Sequence, residues 1–317
     1  MFNLVQKRRW YFLISTLVIL PGIVAMIYST VQFGTPVRLG VDFESGSKFV
    51  LKFDSAATES GIRNIFEANG FNNPGVTRLG NPEDHTWQVR TKFVAADTAD
   101  QILAQLTDQV APVDKAASSV DSVSPAISSE VTSSATIAVV IAAAVILFFI
   151  VWAFRRVPRS FRYGVCAITA MIHDILVTMG IMSIMGIFFG WEVDALFLTA
   201  MLTVIGFSVQ DTIVVFDRIR ENIPRRRGES FETIANRSLL ETIHRSLATQ
   251  LNAIFVMIAI LLFGGASIKQ FIAILLVGLI SGTYSSIFNA VPLLVAWEEG
   301  DLRRWIPLPL RRAEAKA

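Results

Sequence analysis

Residues 135–154 read ATIAVVIAAAVILFFIVWAF, twenty positions without a charged side chain. At 1.5 Å of rise per residue such a helix covers about 30 Å, the thickness of a bilayer's hydrocarbon core. The pattern repeats along the chain. No charged residue occurs between Arg9 and Arg38, Glu130 and Arg155, Arg245 and Lys269, or Lys269 and Glu298. Two further apolar stretches, Tyr163–Gly190 and Ala195–Phe216, are interrupted by one acid each, Asp174 and Asp211, with His173 beside the first. The expectation is six transmembrane helices, at about 11–30, 135–154, 163–189, 195–217, 246–266 and 270–297.

Composition agrees with this reading. Of 317 residues 53% are hydrophobic and 17% charged, with a mean hydropathy of +0.53. A soluble domain carries about 25% charged residues. The net charge of +2 gives no reason to expect nucleic-acid binding. Lys7, Arg8 and Arg9 precede the first span as they would a secretory signal, but the apolar run Trp10–Tyr28 is too long for one and no small-x-small cleavage site follows. The first span therefore reads as an uncleaved anchor.

Basic residues set the expected orientation. Three precede helix 1, four lie at Arg155, Arg156, Arg159 and Arg162, seven run from Arg218 to Arg245, and five follow helix 6. With six alternating helices all of these fall on one side, so both termini are expected in the cytoplasm. The lone cysteine, Cys166, lies inside a span, which leaves no disulfide framework and no Cys-based metal site.

Residues 31–133 then form an exported segment holding 8 Lys or Arg against 13 Asp or Glu. Phe49, Leu51 and Phe53 alternate with Val50 and Lys52 as in a half-buried strand. Ile62, Ile65 and Phe66 follow helical spacing up to a stop at Asn69-Gly70. Further strands are expected at Val76–Leu79, around Trp87, Val89 and Phe93, and over Val113–Val123, with a helix through Ile102, Leu103, Leu106 and Val110. That order, β-α-β-β-α-β, matches a ferredoxin-like unit. The Ser-rich stretch Ala116–Ser134 is expected to be a solvated connector, with a hinge as the alternative. The expected fold is thus an α-helical polytopic membrane protein with a small α+β exported domain between helices 1 and 2. Its segments are 1–30 (cytoplasmic N-terminus and first helix), 31–133, 134–297 (helices 2–6) and a basic cytoplasmic tail at 298–317.

The sequence shows no Ser/His/Asp set, no phosphate-binding glycine loop and no metal-ligand spacing, so an enzyme, a cofactor and a metal site are not expected. The chemistry-bearing residues are instead those the spans should exclude. An ionisable group at mid-membrane costs about 2.5–3.5 kcal/mol on insertion scales and is a functional candidate for that reason. Asp211 is the leading one, with Ser208 a turn away and Gln210 beside it. On helix 5, Ser238, Thr242, Arg245, Thr249 and Asn252 recur at intervals of 4, 3, 4 and 3 and share one face. Arg245 is therefore either a charge partner for Asp211 or a snorkelling base at the inner surface. His173 and Asp174 either extend a proton path or are bundle hydrogen-bonding groups. Gly278, Gly282, Ser285 and Asn289 form a small-residue stripe suited to close helix packing.

Two motifs carry a family resemblance. Gly40-Val41-Asp42-Phe43 follows helix 1, and residues 206–222 read GFSVQDTIVVFDRIREN. Together with six helices and one large loop after the first, these resemble the SecF family, the smaller subunit of the bacterial SecDF accessory translocase within the RND superfamily. The resemblance covers roughly residues 1–300. It implies a subunit that joins a SecD-type partner and uses the proton-motive force to promote export of unfolded polypeptides through the SecYEG channel, in contact with membrane lipid. It places the essential intramembrane acid at Asp211 and its basic partner at Arg245. Two departures stand out: Gly46-Ser47 where the family has Gly-Gly, and Val123-Ser124-Pro125 where it has Val-Gly-Pro. The alternatives are a non-transporting scaffold or chaperone subunit, and an RND-type small-molecule or lipid transporter subunit.

Overall fold

The computed structural model describes residues 3–155, 157, 159–226 and 228–301. Most of the expected basic tail, and Arg156, lie outside the described residues. Two compact units result, residues 39–137 and the remainder of the chain.

In the larger unit the helices are α1 (Arg8–Phe33), α5 (Pro125–Ala153) from residue 138 onward, α6 (Ser160–Phe189), α7 (Ala195–Arg225), α8 (Phe231–Phe263) and a last helix, α9 (Ala266–Ser285), that passes through a π-turn (Ser286–Ala290) into α10 (Val291–Glu298). Among the described residues, six helical segments are long and apolar enough to cross a membrane. Roughly half of α6, α7 and the last helix is buried inside the protein, at 56%, 50% and 56% of the apolar window, against 6% for α5 and 11% for α8. These three central helices carry the intramembrane acids Asp174 and Asp211 and the serines discussed below.

Glycine lets the helices approach. A Cβ on Gly22 of α1 would stand 2.7 Å from the Gly180 Cα of α6, and one on Gly278 would stand 2.1 Å from a methyl of Val204. Polar contacts mark the two ends of the bundle. At one end Arg8 meets Glu232 and Glu299 at 3.0 and 3.3 Å and also Asp301, and Arg159 and Arg162 meet Glu298 at 2.6 and 3.0 Å. At the other, the amide of Val193 donates to the carbonyl of Arg38 and Gln270 donates to that of Glu192.

The smaller unit comprises α2 (Val41–Glu44), β1 (Gly46–Lys52), α3 (Glu59–Ala68), β2 (Gly75–Leu79), β3 (Thr86–Thr91), α4 (Ala96–Gln109) and β4 (Ser119–Val123). Its sheet is antiparallel throughout in the order β2-β3-β1-β4, with Phe49 opposite both Val89 and Val120. That is the split β-α-β order expected from the sequence. Phe49, Leu51, Trp87 and Val89 point to one face and pack against Ile62, Phe66, Ile102 and Leu106 of the two helices.

Two expectations are corrected. The last strand is limited to Ser119–Val123, with Val113 making only an isolated bridge to Phe53. The Ser-rich stretch is not a connector: it supplies β4 and the first turns of α5, which starts at Pro125 rather than 135. Two of its hydroxyls bond within the helix, Ser128 donating to the Pro125 carbonyl and Thr132 to that of Ser128. Local side-chain to backbone bonding of this kind lets a hydroxyl-rich segment stay helical.

Candidate functional site

Asp211 is 6% exposed on α7. Its Oδ2 accepts a hydrogen bond from Gln250 Nε2 of α8 at 2.6 Å. Of the two readings of Arg245, the charge pair is not formed: Arg245 is exposed on α8 and makes no ion pair with Asp211. Thr249 and Asn252 are also exposed, Thr249 bonding back to the Arg245 carbonyl, and Gln210 is exposed on α7. The buried polar line on α8 is Ser238, Thr242, Ser246 and Gln250, each four residues from the last. A four-residue step advances about 40° around a helix of 3.6 residues per turn, so this line winds, as it does where a helix crosses its neighbours at an angle. The 4-3-4-3 stripe is straighter and assumes parallel neighbours. Its first members Ser238 and Thr242 are buried, whereas Arg245, Thr249 and Asn252 turn outward.

Asp174 on α6 is the more heavily bonded acid. It is 1% exposed, and hydroxyls from two other helices reach it. Its Oδ2 accepts from Ser208 of α7 at 2.5 Å and from Ser285 of α9 at 2.6 Å, and its Oδ1 accepts from Ser281 of α9 at 2.6 Å. His173 Nδ1 lies 3.0 Å from Oδ1. The small-residue stripe of α9 therefore has two uses. Gly282 brings α9 onto Ser208, where an added Cβ would sit 3.3 Å from the Ser208 backbone, and that closeness puts Ser285 within reach of Asp174. Asn289, in the π-turn, accepts from Ser15 of α1 at 2.9 Å.

Sequence reasoning did not single out Gln250 or Ser281. Gln250 continues the i+4 polar series from Ser238, and Ser281 lies four residues before Ser285; those spacings were the available signals.

Gly40, Val41, Asp42 and Phe43 belong to the other compact unit. Gly40 is extended and precedes the single turn α2, after which Ser45 (φ 63°) and Gly46 (φ 123°) reverse the chain into β1. A Cβ at Gly46 would lie 2.6 Å from the Thr91 carbonyl oxygen, so that position requires glycine. Ser47 is buried, pairs its hydroxyl with that of Ser122 at 2.7 Å and accepts from the Val94 amide at 2.8 Å. Ser124 accepts from the Ile127 amide at 3.4 Å ahead of Pro125, the arrangement of a helix N-cap followed by proline at N1. Both departures from the family pattern are thus serines with a bonding role.

Fold and site together define a multi-pass helical membrane protein with a small α+β unit after its first helix and acids held in its bundle. The family model for the C-terminal part of the protein export membrane protein SecD/SecF matches residues 102–300, and that for the SecD/SecF GG motif matches residues 31–57. Protein translocase subunit SecF of Anaerolinea thermophila is 44% identical over 99% of this chain and 100% of its own. The same subunit of Thermobaculum terrenum is 42% identical over 100% of this chain and 99% of its own. The crystal structure of SecDF, a translocon-associated membrane protein from Thermus thermophilus, superposes with a TM-score of 0.76 at 27% identity, covering 94% of this chain and 39% of that one. The chain belongs to the SecF family of protein translocase subunits.

Proposed function

We propose that this chain works with a SecD-type partner to promote export of unfolded polypeptides through the SecYEG channel, driven by protons moving through its bundle at Asp211. It does so without enzymatic chemistry. It sits in the bacterial inner membrane, in contact with lipid, with both termini in the cytoplasm and residues 39–137 outside. The observation that carries the reading is Asp211 itself: a buried carboxyl in an apolar bundle, held by one uncharged side chain, Gln250. An acid retained for packing alone would have a fuller set of donors, as Asp174 has. A charge moved across 100 mV gains about 2.3 kcal/mol, enough to shift a two-state equilibrium of the exported unit nearly fiftyfold.

Arg245, Thr249 and Asn252 support the SecD-type partner. They form an outward polar stripe on α8, a helix of which only 11% of the apolar window is buried within the chain. A second membrane subunit covering that stripe removes the lipid exposure of an arginine, and the Bacillus subtilis relative, 30% identical over 94% of this chain, is a single longer chain named SecDF. The test is export into inner-membrane vesicles with and without a protonophore. Asp211→Asn should lose the protonophore-sensitive part of export while accumulating normally; wild-type export by that variant would refute the reading.

A further inference from the structure

His173 is 9% exposed, and its two ring nitrogens have different surroundings. Nδ1 faces the Asp174 carboxylate at 3.0 Å, whereas Nε2 is buried with no hydrogen-bond partner among the described residues. The three serine hydroxyls already aim at Asp174. An ionised Asp174 gives each of them, and an Nδ1–H of His173, an acceptor. That arrangement fixes the His173 tautomer and leaves a lone pair on Nε2. His173 also lines a cavity of about 310 Å³ between α1, α6 and α9, together with Ile14, Val18, Val277, Ser281 and Tyr284. Ser281 thus touches both the cavity and Asp174.

We propose that His173 is a proton-binding site of its own, with Asp174 as its fixed counter-charge. Without the extra proton the pair carries one negative charge inside the bundle. A proton delivered as hydronium binds the Nε2 lone pair, water is released, and the pair becomes a neutral imidazolium–carboxylate, the form a low-dielectric site favours. The elements packed on α6 bring few other titratable groups near it. Tyr284 of α9 stacks on His173 at 6.1 Å and donates its hydroxyl to the Tyr11 carbonyl of α1, and α7 contributes Asp211. Ser208, bonded to Asp174, sits three residues or about 4.5 Å of helix rise before Asp211, so proton loading of His173 changes the field at the Asp211 turn. The inference deepens the proton-coupled function and rests on it for its purpose, though not for its measurement.

The sequence contains three histidines, His85, His173 and His244, so ¹⁵N-histidine NMR of the full chain in lipid nanodiscs can resolve each, with His173→Gln supplying the assignment. At high pH His173 should show the Nδ1–H tautomer, and it should convert to imidazolium as the pH is lowered. In Asp174→Asn the midpoint should fall by about one pH unit or more, a tenfold loss of proton affinity, while the exposed His244 does not move. If Asp174→Asn does not insert, Ser285→Ala tests the same dependence: with one donor fewer on Asp174, the midpoint rises. A His173 that stays neutral throughout, or a midpoint unmoved by the variant measured, would overturn the inference. Loss of coupled export in Asp211→Asn with no titration of His173 refutes this site and leaves the proposed function standing. Titration of His173 with export indifferent to Asp211→Asn supports the site and refutes that function.

Discussion

Replacing Asp174 with Asn should destabilise the bundle strongly, and replacing Asp211 with Asn should hardly destabilise it at all. Ser208 and Ser285 both donate to Oδ2 of Asp174, while Ser281 and His173 address Oδ1. An asparagine keeps one of those oxygens, so two donors lose their acceptor whichever way the amide is turned. Hydrogen bonds to a charged group contribute about 1.5–3 kcal/mol each, giving about 3–6 kcal/mol for the pair. Relief of charge burial, and hydroxyls that turn to accept from the new NH₂, recover roughly half, leaving about 1.5–3 kcal/mol. For a chain of this size that lowers the unfolding midpoint by about 5 °C. At Asp211 the asparagine oxygen can still accept from Gln250, the only hydrogen bond the acid receives among the described residues, so the midpoint should stay within about 1 °C of wild type. The assay is thermal unfolding of detergent-purified protein, followed by near-ultraviolet circular dichroism or by monodisperse fraction. Equal midpoints for wild type and Asp174→Asn would show that the serine cluster contributes nothing. A drop at Asp211→Asn as large as at Asp174→Asn would make Asp211 a structural group, as the scaffold alternative holds.

Other outcomes follow from the packing. Gly22→Ala places a methyl 2.7 Å from the Gly180 Cα and should cost about 1–3 kcal/mol, read as a lower unfolding midpoint, with Gly180→Ala costing about as much from the other side. Ser47→Gly, which supplies the family's second glycine, strips the Val94 amide of its acceptor and should speed hydrogen exchange there by roughly tenfold or more. Glu299, beyond the last span, is held above the ordinary carboxylate range by burial and by the charge of Glu232, with Arg8 opposing. An acid raised in the folded state binds more protons there than when unfolded, so its contribution to stability falls as pH rises through that interval. Glu299→Gln should therefore remove part of the decline in unfolding midpoint above the ordinary carboxylate range.

Periodicity reported what was local in this chain. Four charge-free runs and two broken by a single acid located the six spans, because a bilayer admits few alternatives, and the Phe49-Leu51-Phe53 alternation placed β1 within a sheet whose order also matched. The start of α5 was missed because Ser and Thr read as solvated until their hydroxyls are seen to bond within the helix. The polar residues Asp174, Asp211, Ser208 and His173 stood out in the sequence because spans should lack them. Their partners did not stand out: which face of α8 meets α7 depends on a crossing angle that sequence spacing does not encode, so Gln250 rather than Arg245 meets Asp211. The Asp174 cluster likewise draws on residues 34 to 111 positions away, brought together by glycine-mediated approach of α9.

The central claim is that a proton crosses at Asp211, and proton entry into proteoliposomes holding this chain with its SecD-type partner tests it most directly. With a potential of about 100 mV imposed and a pH-sensitive dye inside, the wild-type complex should acidify the lumen, and the Asp211→Asn complex, assembled at equal density, should not. Equal acidification by both complexes would contradict the account.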